Sequence, residues 1–316
     1  MVIKINSASI DELANIDPAQ VSSVSIEGYL SNEKLDILNQ LLNTNTQINL
    51  VVVTDPGEPE KKDHFTGLQL ISQLNNIRNL NVLCFGSQPL ENLEPLRGIY
   101  NLEHFRLSGN YNKKIDLDPL LESKALKVLE LEFGLADKKQ YKIINQLTQL
   151  AQLKVSTLDV AAIMPNDRIS ELTVTNTLKN PELITAAFPN LSSFSISYAK
   201  GLESFDFLSS LKKLTQLSIG YTQKLNQLPK LANPENINSL IFLHTPNFKG
   251  IEQVLAFENL ESLAINEFDS IPVGEVAKLE KLKKLKRVVL NFKKDPDQEQ
   301  FEQLALKSGW KTDFSL

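Results

Sequence analysis

The nine residues Leu102–Asn110, LEHFRLSGN, contain a spacing of apolar side chains that recurs along most of the chain. Leucine or phenylalanine occupies the first, fourth and sixth positions of this stretch, at Leu102, Phe105 and Leu107. The fourth and sixth positions have the two-residue period of a β-strand, which places them on one face and the third, fifth and seventh positions on the other. The spacing therefore predicts a short strand that is buried on one face only.

Nine further copies of this apolar spacing occur, and successive copies begin 19 to 25 residues apart. The ten copies begin at Leu80, Leu102, Leu126, Leu150, Ile169, Leu191, Leu214, Ile237, Leu260 and Leu285. Two weaker copies precede them, Val21-Val24-Ile26 and Ile48-Val51-Val53. We predict that the fourth and sixth residues of each copy are buried, including Leu83 and Phe85. A period sustained in this way indicates a repeat architecture, in which neighbouring units share one continuous core.

The pattern resembles the leucine-rich-repeat superfamily, whose unit reads LxxLxLxxN over about 20–29 residues. Leu102–Asn110 matches all nine positions, whereas most other copies lack asparagine at the ninth, so we expect an irregular solenoid. The polar, Asn- and Lys-rich repeats without disulfide caps resemble those of bacterial members of the superfamily. The resemblance covers residues 21–292. It implies an α/β solenoid with a curved parallel β-sheet on its concave face and short helices or 3₁₀ turns on its convex face. It also implies a role in protein recognition.

The repeat period divides the chain into three parts. Residues 1–20 are predicted to form an N-terminal cap, residues 21–292 about twelve leucine-rich repeats, and residues 293–316 a C-terminal cap. The charged stretch at residues 54–65, TDPGEPEKKDHF, interrupts the period and predicts an exposed loop insertion. In the C-terminal cap, Asp295-Pro296-Asp297 is typical of a helix start, and Gly309 is predicted to end that helix.

Composition narrows the class of protein and of ligand. The net charge of −5 argues against a nucleic-acid partner, and the single cysteine excludes a disulfide framework and a cysteine-based zinc site. The three histidines show no ligand spacing, and no phosphate-binding or cofactor motif occurs, so we expect neither metal nor cofactor. No apolar stretch is long enough to span a membrane, and the first residues do not resemble a signal peptide. We expect a cytoplasmic monomer, with a secreted effector lacking a classical signal peptide as the alternative.

Outward positions of the repeats form rows across the predicted concave face, and these rows supply the candidate partner-binding residues. The candidates are Arg106, Glu130, Glu132, Lys154, Tyr221, Ile241, Leu243, Ala264 and Asn266. Arg106, Glu130 and Lys154 are predicted lateral neighbours that either neutralise one another or contact a partner.

Two groups of candidates carry a second interpretation. Ile241 and Leu243 form a predicted exposed apolar pair, which is either an interface or the contact of a flanking loop. Tyr221, at the eighth position of its copy, points either outward with this pair or inward.

On the opposite face, residues 278–294 hold eight lysines or arginines and one acid, which predicts a solvated amphipathic segment or a docking site for an acidic protein.

Three functions are compatible with these features. The first is a non-enzymatic scaffold that binds another protein on its concave face, as an intracellular adaptor, an inhibitor or a toxin-neutralising protein. The second is a bacterial effector, delivered into host cells, that binds a host protein. The third is a thiol-dependent enzyme that uses Cys84 and His104 as diagonal neighbours on the sheet, with Glu130 beyond them. The scaffold is the prediction, because an open sheet offers no evident oxyanion hole.

Overall fold

The computed structural model describes residues 1–54, 68–86, 88–266 and 272–313. Of the predicted loop insertion at residues 54–65, only Thr54 belongs to the described residues. The chain divides into two compact units, Met1–Ser156 and Thr157–Leu316. Each unit carries its strands in one parallel sheet, in the order of the sequence.

The first unit pairs its strands in parallel from β1 to β7. The strands are β1 Val2–Lys4, β2 Ser23–Ile26, β3 Asn49–Thr54, β4 Asn79–Cys84, β5 His104–Gly109, β6 Val128–Leu131 and β7 Gln152–Asp159, the last of which crosses the boundary. The helices are α1 Ile10–Ala14, α2 Asn32–Thr44, α3 Leu68–Ile71 and α4 Lys138–Ile144, and 3₁₀ turns occupy Pro18–Gln20, Glu94–Leu96 and Asp118–Glu122.

The second unit is built in the same way, with parallel pairing from β8 to β13. Its strands are β8 Glu171–Lys179, β9 Ser193–Ser197, β10 Gln216–Gly220, β11 Ser239–Leu243, β12 Ser262–Ile265 and β13 Arg287–Leu290. Its helices are α5 Ile184–Ala187, α6 Ile251–Val254, α7 Val273–Val276 and α8 Asp295–Ser308. Its 3₁₀ turns are Val160–Ala162, Pro181–Leu183, Asp206–Ser210, Pro234–Asn236 and Ala277–Lys281.

Alternation along each strand separates the core from the other face of the sheet, which we call the outer face. In β6, Leu129 and Leu131 are buried, whereas Val128 and Glu130, at the alternate positions, are partly exposed. Leu129 pairs with Phe105 on one side and with Leu153 on the other, so equivalent residues of successive repeats form continuous apolar rows. The predicted burial of the fourth and sixth positions is confirmed for these repeats.

The predicted register is wrong in β3 and β4. Phe105 pairs with Leu80 instead of Leu83, and Leu80 pairs with Leu50 instead of Ile48. Both strands carry apolar side chains on both faces, so the hydrophobic pattern does not distinguish one register from another. A shift by an odd number of residues moves every side chain to the opposite face. Leu83 and Phe85 are therefore not core residues, and Phe85 is 58% exposed.

At each end of the described chain, the backbone pairs with a neighbouring strand. At the start, β1 pairs with β2, and Ser9 caps α1 in a reciprocal capping box with Glu12. At the other end, α8 stops at Gly309, whose φ of +71° is the left-handed conformation typical of a helix C-terminus. Lys311 then forms a parallel bridge to Arg287 of β13. The predicted start and stop of this helix are confirmed to within two residues.

Replacement of Gly109 by alanine tests how tightly β4 and β5 pack. Gly109 has a φ of +87°, and an added Cβ would lie 2.1 Å from the Cys84 carbonyl oxygen, which accepts a hydrogen bond from the Asn110 amide. We expect Gly109→Ala to lower the free energy of unfolding by about 3 kcal/mol or more, through overlap added to backbone strain.

Gly98→Ala is the matched control, because Gly98 has a φ of +88° and open space around the added Cβ. Backbone strain alone predicts a loss of about 1 kcal/mol there. Denaturant unfolding of the two variants checks the difference, and equal losses would contradict the close approach of Gly109 to Cys84.

Candidate functional site

Four polar side chains on the outer face of the first unit form an ion cluster around Glu130. Glu130 of β6 lies between Arg106 of β5 and Lys154 of β7 in the strand register, as the sequence predicts. Its carboxylate lies 3.3 Å from Lys154 Nζ, 3.9 Å from Arg106 Nε and 3.4 Å from His104 Nε2. We call His104, Arg106, Glu130 and Lys154 the Glu130 cluster.

The surrounding donors strongly favour the ionised form of Glu130. The His104 imidazole has the largest effect and Lys154 adds to it, and together they outweigh partial burial and lower the pKa of Glu130 to about 2. The His104 contact is loosely aligned, since Nε2 lies 3.4 Å from the Glu130 carboxylate and makes no well-aligned hydrogen bond to any described residue. Mutual neutralisation, one of the two predicted alternatives, therefore describes the geometry of this cluster.

Glu132, another predicted partner-binding residue, is engaged within the sheet. Its Oε2 accepts a hydrogen bond of 2.7 Å from the Gly109 amide. The side chain remains exposed and lies just beyond the end of β6. Glu132 thus supports the chain at the Gly109 turn and at the same time lies on the surface.

The register found for β3 and β4 places unexpected apolar side chains on the outer face of the first unit. Val53 and Leu83 pair across the two strands and are partly exposed, as is Val51. Phe85 follows β4 and is the most exposed of this group. The sequence pattern missed these residues because it assigned them to the core.

The outer face of the second unit holds the remaining predicted site residues. Ile241 and Leu243 point to the outer face of β11, as expected, but both are half-buried. Ala264 is only 5% exposed, so the prediction that it is exposed is wrong; the residue is small and lies between Ile241 and Val289 in the register. Asn266 is partly exposed and accepts a 3.0 Å hydrogen bond from Asn291.

Three aromatic rings stack where β9, β10 and β11 end, and they form the most distinctive surface feature of the second unit. The ring centroids of Tyr198 and Tyr221 are 4.8 Å apart with planes at 16°, and those of Tyr221 and His244 are 4.5 Å apart with planes at 29°. Tyr198 is 55% exposed and Tyr221 42%. We call Tyr198, Tyr221 and His244 the aromatic ladder.

The backbone of the aromatic ladder is strained at every step. The φ angles of Tyr198, Tyr221 and His244 are +59°, +53° and +49°, in the left-handed region that bulky residues rarely adopt. Each such residue costs about 1 kcal/mol or more, so the surrounding structure must hold it in place. Amide hydrogen bonds from Tyr198 to Gly220 O at 2.9 Å and from Tyr221 to Leu243 O at 2.7 Å contribute to this.

The structure resolves the predicted alternatives for Tyr221, whose side chain points outward. Sequence reasoning did not select Tyr198 or His244, although both occupy the eighth position of their repeats. Their numbers differ from that of Tyr221 by 23 residues in each direction, which is the local repeat period. An aromatic side chain at one repeat position in three successive units is the signal that could have found them.

Beside the aromatic ladder, the outer face from β9 to β12 is uncharged. Its outward residues are Ser193, Ser195, Ser197, Gln216, Ser218, Gly220, Ser239, Ile241, Leu243, Ser262, Ala264 and Asn266. We call this surface the neutral strip. In a chain in which 22% of the residues are charged, such a run of uncharged outward positions is unusual.

The structure does not bring Cys84 and His104 together as diagonal neighbours. His104 pairs with Asn79 at the start of β4, whereas Cys84 ends that strand and pairs with Gly109. Cys84 is buried, and burial raises the pKa of its thiol. The thiol is therefore neither exposed nor activated, and the Cys84/His104 enzyme hypothesis is wrong in its geometry.

The predicted basic segment forms ion pairs with acidic residues of the second unit. In the basic segment, Lys278 pairs with Glu252 and Glu275, and Lys286 pairs with Glu261, so acids of the same unit neutralise part of its charge.

Across residues 1–54, 68–86, 88–266 and 272–313, no group of three potential metal-ligating side chains is found. No helix within those residues is long and apolar enough to cross a membrane.

The strands are parallel, recur about every 23 residues, and alternate with short helices and 3₁₀ turns over a shared apolar core. This arrangement is the leucine-rich-repeat architecture, which is the fold of the chain. No family model matches the sequence, and no curated protein matches it significantly.

Several solved structures are similar to the chain. An internalin, inlF, from Listeria monocytogenes is 17% identical with a TM-score of 0.42, covering 98% of this chain and 84% of that one. A leucine-rich-repeat protein from Leptospira interrogans is 18% identical with a TM-score of 0.41, covering 97% and 98%. The plant peptide hormone receptor RGFR1 in complex with RGF2 is 10% identical with a TM-score of 0.36, covering 93% and 49%.

The Glu130 cluster predicts a stability that depends on pH. Because the pKa of Glu130 falls from its ordinary value of 4.5 to about 2 on folding, its ionised form stabilises the fold above pH 4.5. That contribution is lost as the pH falls towards 2. We expect Glu130→Gln to lower the free energy of unfolding by about 1–2 kcal/mol at pH 7, and the difference from the unmodified protein to shrink below pH 4.

Denaturant unfolding at about five pH values between roughly 3 and 7 measures this difference in the free energy of unfolding. The matched control is Glu171→Gln, at an exposed outward position of β8. A constant difference across the pH range, or an equal effect of Glu171→Gln, would show that the Glu130 carboxylate does not act through its charge.

Alkylation of Cys84 tests the correction to its predicted role. A buried thiol with a raised pKa exposes little thiolate, so iodoacetamide should modify the folded protein at pH 8 at least about tenfold more slowly than the unfolded protein. Mass spectrometry over time gives both rates. Rapid modification of the folded chain below pH 8 would restore Cys84 as a reactive residue.

Proposed function

We propose that this protein is a binding scaffold that holds a partner protein on the outer face of its second unit. The aromatic ladder is the observation that carries the proposal. Tyrosine is enriched among the residues that dominate binding energy at protein interfaces, because it offers a large contact area and a hydroxyl on a side chain with few rotatable bonds. Tyr198 and Tyr221 present these groups on the surface.

Preorganisation supports the same function. The stacked rings hold one another at centroid distances of 4.8 and 4.5 Å, so the ladder is ordered before a partner arrives. Ordering side chains on binding costs about 0.5–1.5 kcal/mol each, and a preformed ladder avoids much of that cost. Backbone strain at three successive repeats is also characteristic of functional positions, where the surrounding structure maintains an unfavourable conformation.

Half-buried apolar residues complete the proposed interface next to the ladder. Leu243 directly precedes His244, and its carbonyl oxygen accepts the Tyr221 amide, so Leu243 and the ladder form one surface. Ile241 lies two residues before Leu243 on the same face of β11. In this proposal Tyr198, Tyr221, Ile241 and Leu243 are the contact residues, and the protein acts by binding without a chemical step.

The Glu130 cluster takes a structural role in this proposal. Its two cations and the His104 imidazole converge on a single carboxylate, so they link β5, β6 and β7 across the outer face. A partner that contacted Arg106 or Lys154 would compete with Glu130 for the same charges. The uncharged surface of the second unit involves no such competition.

Replacement of Leu243 by glutamate tests the proposed interface. A charge placed beside the aromatic ladder should lower partner binding at least about thirtyfold, the loss typical of an interface hot spot. The melting temperature should change little, because Leu243 lies on the outer face and not in the core. Quantitative mass spectrometry of proteins captured from the native host by the tagged variant and the tagged unmodified chain gives the comparison.

Leu306→Glu is the matched control, because Leu306 is an exposed leucine on α8, away from the sheet. We expect at least one protein to be captured by the unmodified chain and by Leu306→Glu but not by Leu243→Glu. The same set of captured proteins for all three chains would refute the interface.

A further inference from the structure

The charge distribution around the neutral strip restricts what can bind there. Glu171 lies at its border on β8 and Arg287 on β13, and the outward residues of the four strands between them are uncharged. A partner charge pressed against this surface would lose its water and find no opposite charge in return, which is costly. The part of a partner that covers the strip must therefore be uncharged as well.

Hydroxyl groups on the neutral strip are available for new hydrogen bonds. Some serines elsewhere bond within the fold: the Ser123 hydroxyl donates to Ile99 O at 2.6 Å, and that of Ser192 donates to Ser170 O at 3.2 Å. By contrast, the hydroxyls of Ser195, Ser197 and Ser218 make no hydrogen bond to any described residue. These groups can donate to, and accept from, the amides and hydroxyls of a bound chain.

The aromatic ladder distinguishes between classes of uncharged ligand. Nucleic-acid bases and sugar rings bind aromatic residues mainly by stacking on an open ring face. Both faces of Tyr221 are occupied, one by Tyr198 and the other by His244. At Tyr221 a ligand therefore meets the ring edge and the hydroxyl, and these suit the side chains and backbone amides of a polypeptide.

We infer that the neutral strip and aromatic ladder together bind a polypeptide segment that carries no charged side chains. Its backbone and its hydroxyl or amide side chains bond to Ser195, Ser197 and Ser218, and one apolar side chain packs against Ile241 and Leu243. The inference rests on the proposed function and adds the chemistry of the partner. It also predicts binding that depends little on salt, because no ion pair forms across the interface.

Selection of peptides from a random phage-displayed library on the immobilised full chain tests this partner chemistry. We expect the enriched peptides to be depleted of Asp, Glu, Lys and Arg relative to the unselected library. Synthetic versions should bind with dissociation constants that change less than about twofold between roughly 50 and 500 mM salt. Ser218→Ala should weaken them about fivefold, through the loss of one hydrogen bond, and Ser218→Lys more than about tenfold.

Two comparisons separate failure of this inference from failure of the proposed function. Peptides that need Ser218 and Tyr221 but retain a required charged residue overturn the partner chemistry, while the site itself stands. Enriched peptides that bind Ser218→Lys, Tyr221→Ala and Leu306→Glu as well as the unmodified chain count against the site and hence against the proposed function.

A glycan array probed with the same chains provides the remaining outcome. Binding of an uncharged glycan that is lost in Ser218→Lys but not in Leu306→Glu overturns the assignment to a polypeptide. Absence of any enriched peptide that depends on Ser218 overturns it as well. Circular dichroism of each variant shows that the substitutions leave the fold intact.

Discussion

Parallel strands that pair residue for residue in the same register are the constraint on which the rest of each unit depends. Leu217 of β10 pairs with Phe194 of β9 and with Leu240 of β11, so three repeats contribute to one apolar row. A single repeat is too short to bury that row, and burial becomes favourable only when neighbours add theirs. Every other feature of the surface inherits its position from this pairing.

The aromatic ladder follows from the same constraint. Equal register at the strand ends brings the eighth residues of three successive repeats to about the strand spacing, which is close to the distance at which aromatic rings stack. Stacking joins Tyr198, Tyr221 and His244, and the amide hydrogen bonds of Tyr198 and Tyr221 help to hold a backbone conformation that these residues would not adopt alone. Rigid strands thus provide an ordered surface without a loop that must fold on binding.

The sequence predicts the structure correctly where the two faces of a strand differ clearly in polarity. In β6, the charged Glu130 separates Leu129 from Leu131, and the predicted burial of Leu129 and outward position of Glu130 are correct. In β3 and β4, apolar residues occur on both faces, so the local pattern fits two registers, and the choice between them was wrong. The same error placed Cys84 on the surface and suggested a diagonal Cys84/His104 pair that the structure does not contain.

The sequence by itself determined the repeat, the core rows outside β3 and β4, and the lateral order of Arg106, Glu130 and Lys154, because these depend on spacing along one strand and from one repeat to the next. Only the tertiary structure decided the register of β3 and β4, the burial of Ala264 and the outward direction of Tyr221. These features depend on contacts between repeats and on a left-handed backbone that no short apolar pattern encodes.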